Sequence, residues 1–367
     1  MHAQDLLSRT LRSPSLIARL SMGEWDVLVR QARAAGLLAR LAYVCRQNGH
    51  ADDIPRTIRW HFEAAETLAS KQQIAVRWEL EHLRRALADL NAAPILLKGA
   101  AYVAAALPAC EGRLFNDIDI LVPREHLAEA ESLLMLAGWH ATDLSEYDKR
   151  YYRRWMHEIP PLQHIQRESV IDLHHAILPD TARYHPDSAK LRSRAVPLGE
   201  APGLYVLAVE DLILHSATHL FHDGELPHGL RDLSDLDLLI RAASSDQGPA
   251  FWNGLIARAD ELHLGRPLFY ALRYARYFLN TPVPADVGHR LLAWIPNRAL
   301  LGLMDRIFTR ALAPMHASCD DAFTPAARMA AFVRAHWLRM PPHLLIPHLF
   351  HKAFISPFTN TEAPRPA

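Results

Sequence analysis

The sequence predicts an α+β fold, in which a small mixed sheet with flanking helices lies between an N-terminal and a C-terminal helical segment. Two observations predict it. Apolar residues recur at helical spacing towards both ends of the chain, whereas the middle holds short apolar runs and strand-like alternation. The predicted units are residues 1–92 (helical), 93–205 (α/β core), 206–355 (helical) and 356–367 (a disordered tail).

The N-terminal segment is predicted to be helical because its apolar residues follow the period of an amphipathic helix. The longest such run covers residues 55–90. Pro55 suits the first turn of this helix and Asn91 suits its end. We therefore expect one long helix to lead into the central unit.

The central unit begins with two short strands. Residues 95–97 form an apolar run that stops at Lys98-Gly99, which indicates a buried strand entering a turn, and residues 100–107 favour a helix. Apolar residues alternate over residues 118–122, which is the period of a strand, and Pro123 ends it.

A helix, a hairpin and a second helical region follow. The helix ends at Gly138, which suits a left-handed C-cap. Residues 162–165 and 169–173 form a second predicted β region, and the three polar residues that join them predict a β-hairpin. From about Val209 onward the spacing is helical again.

Composition excludes several classes of partner. The 367 residues include 40 basic and 40 acidic ones, so the formal net charge is zero and we expect no nucleic-acid partner. The three cysteines are far apart, which predicts no disulfide framework and a reducing compartment. Because neither a signal-peptide core nor a bilayer-length apolar run is present, we expect a cytoplasmic protein without membrane contact.

The most distinctive motif is an acidic pair. Asp117 and Asp119 are two apart in a predicted strand, so their carboxylates share one face while Ile118 faces the core. Such carboxylates repel each other unless a cation lies between them, and oxygen ligands of this kind suit Mg²⁺. Asp172 is a third acidic residue in a predicted strand, and it shares its face of the strand with His174. Because its neighbours are apolar, its charge needs a partner.

Lys98-Gly99 follows a strand and opens a helix, so backbone N–H groups and the helix dipole can face a phosphate there. Gly99 would permit close approach of the backbone, and Lys98 would add a positive charge. Arg113 precedes Asp117 by four residues, where it can either reach a phosphate or hold the loop by an ion pair. These residues extend the acidic motif into a possible phosphate site.

Four segments of the sequence form a recognisable set: residues 96–101 (LLKGAA), 113–122 (RLFNDIDILV), 134–139 (LMLAGW) and 171–174 (IDLH). Together they resemble the bacterial uncharacterised nucleotidyltransferase family within the DNA polymerase β-like superfamily. The resemblance covers about residues 30–240. The sequence departs from the superfamily at one place, where Lys98-Gly99 replaces a common Gly-Ser whose hydroxyl contacts phosphate.

The resemblance implies a minimal nucleotidyltransferase fold and an Mg²⁺-dependent (or Mn²⁺-dependent) transfer of a nucleoside monophosphate from a nucleoside triphosphate. The acceptor is unidentified: a small molecule, a peptide or a protein side chain. The implied catalytic and metal-binding residues are Asp117, Asp119 and Asp172. The residues expected to contact the nucleotide are Lys98, Gly99, Arg113 and His174.

Two alternatives stay open. One is a non-catalytic nucleotide-binding or accessory protein of a biosynthetic cluster. The other is an HD-like metal phosphohydrolase, suggested by a helical series of histidines that ends in His222-Asp223. A structural interpretation of that series is that His215 and His219 are hydrogen-bonded to Asp232 or Asp235. A further expected contact is an i,i+4 ion pair between Arg231 and Asp235.

Residues 147–155 form a basic aromatic patch. Such a patch can stack on nucleic acid. With zero net charge, we favour the other interpretation, a helix face that covers the edge of the active site.

Overall fold

The computed structural model describes residues 5–142 and 145–354, and it confirms the α+β fold. A seven-stranded mixed sheet is surrounded by helices from both ends of the chain. The predicted tail over residues 356–367 lies outside the described residues.

The N-terminal segment is helical, as predicted. Its long helix ends earlier than expected, at Ala86, because the chain then turns to bury Leu87 and Leu90 in the core. Pro55 precedes the helix and occupies its N-cap position. The elements are α1 (Leu6–Arg12), a 3₁₀ helix (Pro14–Arg19), α2 (Met22–Ala34), α3 (Leu38–Gln47) and α4 (Arg56–Ala86).

The central unit contains the predicted strands and three short ones that its periodicity did not reveal. The hairpin forms as expected, and Glu168 in its turn has a φ of 58°. The turn expected at Lys98-Gly99 is the first turn of a helix. The strands are β1 (Ile95–Leu96), β2 (Ile118–Leu121), β3 (Trp139–Ala141), β4 (Leu162–His164), β5 (Val170–His174), β6 (Val196–Pro197) and β7 (Tyr205–Val206); the helices are α5 (Lys98–Ala104), α6 (Leu127–Leu136), α7 (Glu146–Trp155) and α8 (Ser188–Ser193).

The sheet order is β3-β4-β5-β2-β1-β7-β6. β2 and β5 are parallel neighbours in the middle of the sheet, and their register pairs Asp119 with Asp172. β1 is antiparallel to β2 and parallel to β7. The division of the chain at residues 92 and 205 stays a prediction. Strand β7 begins at residue 205, where one of these boundaries was placed.

The C-terminal segment is helical, as predicted. Its interior includes an aromatic cluster in which the Phe221 and Phe308 rings meet edge to face at 5.1 Å. Within the described ranges, no helix has the length and apolar character needed to cross a membrane. The helices are α9 (Val209–His222), α10 (Gly229–Gln247), α11 (Pro249–Glu261), α12 (Gly265–Leu279), α13 (Ala285–Arg290), α14 (Arg298–Ala311), α15 (Thr324–Arg339) and α16 (Pro342–Phe354).

A buried arginine joins the helical segments. Arg40 of α3 has no exposed side-chain surface, and its Nη2 donates to Asp235 Oδ1 of α10 at 2.9 Å. The same guanidinium donates to Ser234 Oγ and to the backbone carbonyls of Ala109 and Glu111, in the loop that leads to β2. All three guanidinium nitrogens therefore have acceptors, so the cost of burying the charge is offset.

We predict that Arg40→Met destabilises the protein by about 3–5 kcal/mol, because Asp235 then loses one of its cationic partners inside the core. Urea unfolding followed by circular dichroism measures this. The matched control is Arg30→Met, which breaks the Arg30–Asp26 pair; those side chains are 63% and 57% exposed. Equal stability of the two variants would contradict the structural role given to Arg40.

Candidate active site

The three predicted carboxylates line one cavity of about 340 Å³. The register of β2 and β5 places Asp119 and Asp172 side by side, and Asp117 lies directly before β2. Helices α5, α9 and α10 supply other walls of the cavity. The structure thus brings together three carboxylates that are up to 55 positions apart in the sequence.

Asp119 is the most buried of the three, with a side chain 5% exposed. Its Oδ1 accepts hydrogen bonds from Lys98 Nζ at 3.3 Å and from His174 Nε2 at 3.0 Å. Burial alone would raise the pKa of Asp119, but the Lys98 ammonium and the His174 hydrogen bond outweigh it and hold that pKa well below its usual range. Asp119 is therefore ionised and already charge-balanced.

Asp172 is held differently. Its Oδ1 is buried and has no hydrogen-bond partner among the described residues. Burial, together with the charges of Asp119 and Glu158, raises the pKa of Asp172 to about 7. Asp172, which lines the cavity, thus has an oxygen with an unused lone pair.

Asp117 is exposed at the edge of the cavity. The protein around its carboxylate and the charge of Asp119 nevertheless raise the pKa of Asp117. Two of the three carboxylates are therefore poorly compensated by the chain itself. Such a donor set fits a divalent cation that takes oxygen ligands, such as Mg²⁺.

Gly99 has a packing role that the sequence did not reveal. A Cβ at this position would lie 2.5 Å from Arg113 Nη1 and 2.8 Å from Phe115 Cδ1. The adjacent Lys98 has a φ of 41°, in the left-handed region, and directs its ammonium at Asp119. Contact of this turn with a phosphate stays a prediction.

Arg113 makes an ion pair, one of the two roles predicted for it. Its Nε donates to Asp235 Oδ2 at 2.8 Å, and its guanidinium lies 5.2 Å from the centroid of the Phe115 ring. It also lines the cavity. Its contact with a phosphate stays a prediction.

Two residues of the cavity were missed by the sequence reasoning. His157 and Glu158 lie between α7 and β4, where no periodicity marks them. Glu158 Oε2 lies 3.2 Å from His174 Nδ1, so His174 bridges the carboxylates of Glu158 and Asp119. The adjacent titratable residues before Pro160-Pro161 were the available signal.

The histidines of α9 do not make the expected contacts. Asp235 binds Arg40 and Arg113, and Asp232 binds Arg231, so the hydrogen bond expected from His215 and His219 to one of these carboxylates is wrong. His215 is buried, its Nδ1 has no partner within the described ranges, and burial lowers its pKa to about 3. It is therefore a neutral residue of the helix core.

The expected Arg231–Asp235 pair is also wrong. Arg231 instead binds its neighbour Asp232, at 2.9 Å. His219, His222 and Asp223 line the cavity, but in the part of the chain that the structure describes they do not form a cluster close enough to share a metal ion. The HD-like alternative therefore gains no geometric support.

The basic aromatic patch forms α7. The chain continues from this helix directly into residues 156–158, which line the cavity. This placement agrees with a helix at the edge of the site.

A comparison with protein families gives one finding that bears on this site. The family model described as "uncharacterised nucleotidyltransferase" matches residues 21–280, which include the three carboxylates and α9. A comparison with curated proteins found no match.

We predict opposite effects on stability for two neighbouring substitutions. Because the folded protein raises the pKa of Asp117, it disfavours the ionised carboxylate at neutral pH, and Asp117→Asn should keep or raise the melting temperature. Asp119→Asn should lower stability by about 1–3 kcal/mol, because Lys98 and His174 lose the negative charge that both of them pair with. Thermal unfolding with chelator at pH 7 measures both. If Asp117→Asn lowered the melting temperature and Asp119→Asn did not, the charge balance assigned to these carboxylates would be wrong.

Proposed function

Because the chain belongs to the uncharacterised nucleotidyltransferase family, we propose that it transfers a nucleoside monophosphate from a nucleoside triphosphate to an acceptor group. The acceptor is a small molecule, a peptide or a protein side chain. One observation carries the proposal: Asp119 and Asp172 are paired on adjacent parallel strands, with Asp117 beside them, around one cavity.

In this proposal Asp117, Asp119 and Asp172 hold Mg²⁺ or Mn²⁺. The bound ion supplies positive charge that stabilises the charge developing on the transferred phosphoryl group. The buried, unpaired Oδ1 of Asp172 is the main support, because an unsatisfied carboxylate oxygen inside a protein is costly without a ligand.

Three residues of the chain have further roles in the proposed transfer. Asp172 either completes the cation site or takes the proton of an acceptor hydroxyl at Oδ1, which no protein donor occupies in the described ranges. His174 donates from Nε2 and so fixes the orientation of Asp119. Arg113, bound to Asp235, holds the loop that carries Asp117.

Lys98 binds the triphosphate in this proposal. Its ammonium is inside the cavity and bound only by Asp119 among the hydrogen-bond acceptors of the described chain. Its side chain is 19% exposed, so an entering phosphate can reach it. A phosphate and a divalent cation arriving together would exchange partners with the Lys98–Asp119 pair without leaving a charge unpaired.

A second candidate function is that of a non-catalytic nucleotide-binding protein. The observation that favours it is the same Lys98–Asp119 pair, which occupies an oxygen that the proposed cation needs. This candidate predicts nucleotide binding without turnover.

The test is incubation of the full chain with each labelled nucleoside triphosphate and Mg²⁺ or Mn²⁺, followed by measurement of pyrophosphate release and of self-modification. We expect turnover with at least one triphosphate and a loss of about 10²–10³-fold in Asp117→Asn, because a group acting on the charged transition state is removed. The matched control is Asp246→Asn, an exposed carboxylate on α10, which should keep wild-type turnover.

Calorimetry with the same nucleotides separates the two candidates. Mg²⁺-dependent binding without pyrophosphate release, over a range of offered acceptors, would favour the non-catalytic protein. Neither binding nor release with any triphosphate would overturn both.

A further inference from the structure

A second group of metal-ligating side chains lies beside the carboxylates, and two of its three members have no role in the proposed transfer. It consists of His157, Glu158 and His174. The backbone fixes all three, because residues 157–159 run antiparallel to the end of β5. The His175 N–H donates to the His157 carbonyl at 2.8 Å, and the Ile159 N–H donates to the Leu173 carbonyl at 3.1 Å. Glu158 and His174 are therefore direct neighbours on two hydrogen-bonded strands.

The side-chain geometry fits one ion. One potential ligand atom from each of the three residues lies within 4.8 Å of the other two, and this is the one such group found in the described residues. Glu158 Oε2 is 3.2 Å from His174 Nδ1 and 4.0 Å from His157 Nε2. In a tetrahedral site with bonds of about 2.1 Å, ligand atoms are roughly 3.4 Å apart. Small side-chain rotations therefore suffice to bring the three atoms around a common centre.

The donor set identifies the class of ion. Two imidazole nitrogens and one carboxylate oxygen suit Zn²⁺ and related first-row divalent ions, whereas Mg²⁺ prefers oxygen alone. The side chains are mostly buried, with exposures of 14% for His157, 19% for Glu158 and 5% for His174. His157 Nδ1 is buried and has no hydrogen-bond partner among the described residues, so no protein group competes for this ring.

The second nitrogen of His174 is also placed as metal sites require. With Nδ1 turned to Glu158, Nε2 donates to Asp119 Oδ1 at 3.0 Å. A metal-bound histidine commonly donates its other N–H to a carboxylate, which fixes the ring and makes it a stronger ligand. Asp119 would thus orient a ligand of one site and contribute directly to the other.

We propose that His157, Glu158 and His174 form a transition-metal site, selective for Zn²⁺ or a related ion over Mg²⁺. The ion replaces the proton on His174 Nδ1, which is released to solvent, while Nε2 keeps the proton that it donates to Asp119. It links the segment before β4 to the end of β5, next to Asp119.

The test is a titration of the metal-free, full-length protein with Co²⁺, read by its visible absorption, and then with Zn²⁺, which should displace Co²⁺. We expect one Co²⁺ per chain with the intense bands of a low-coordinate site, unaffected by excess Mg²⁺. His157→Gln, Glu158→Gln and His174→Gln should each weaken binding at least tenfold. His157→Gln is the decisive variant, because in the described part of the chain its side chain makes no hydrogen bond that folding would lose.

Two controls locate the ion. His126→Gln removes a surface histidine that lies 2.8 Å from Glu129, a matched pair elsewhere in the chain, and should leave binding unchanged. Asp117→Asn removes a ligand of the carboxylate site and should also leave the Co²⁺ spectrum unchanged.

Absence of stoichiometric Co²⁺ or Zn²⁺ binding by the wild type would overturn the proposal. So would full binding by a folded His157→Gln variant, or a loss confined to Asp117→Asn, which would assign the ion to the carboxylates. No nucleotide is used, so a negative result here leaves the proposed transfer standing, and a failure of transfer leaves this site standing.

Discussion

The double ion pair at Asp235 is the constraint on which the site depends. One carboxylate oxygen binds Arg40 of α3 and the other binds Arg113 of the loop before β2, so a single residue of α10 joins three parts of the chain. Arg113 in turn lies against Gly99, at the start of α5. Because buried charges tolerate little displacement once paired, the loop that carries Asp117 is fixed relative to β1 and α5.

A second charge balance operates at Asp119. Lys98 and His174 donate to the same oxygen, and His174 also faces Glu158, so two cations are shared among buried acids. Burial and the charge of Asp119 raise the pKa values of the remaining carboxylates, Asp117 and Asp172. The protein therefore compensates one carboxylate fully and leaves the other two oriented towards the cavity, which is the distribution expected around an added cation.

Local signals were enough to predict much of this arrangement from the sequence. Strand periodicity places Asp119 and Asp172 in strands, and the short polar link between two strand-like segments predicts the hairpin that leads into β5. Strands of two residues, such as β6 and β7, carry no periodicity and were missed. The partners of Asp235 could not be predicted either. Arg231 is its i,i+4 neighbour on α10, but two arginines more than a hundred residues away bind it instead. Only tertiary packing decides between these candidates. His157 and Glu158 were missed for the same reason, since their partner lies on another strand.

The charge balance at Asp119 gives a physical reason for Lys98-Gly99 in place of the Gly-Ser that the sequence resemblance leads one to expect. A glycine at position 98 would add no charge, and Asp119 would be left with His174 alone as its cationic partner. With Lys98 present, the buried carboxylate is paired before any ligand enters, so the empty cavity is stable. The cost is that a cation binding at Asp119 must displace the ammonium, and in the proposed function the released ammonium is then free to bind the phosphate that accompanies the cation. Binding of metal and of triphosphate would therefore be coupled through one side chain, so each should bind more tightly in the presence of the other.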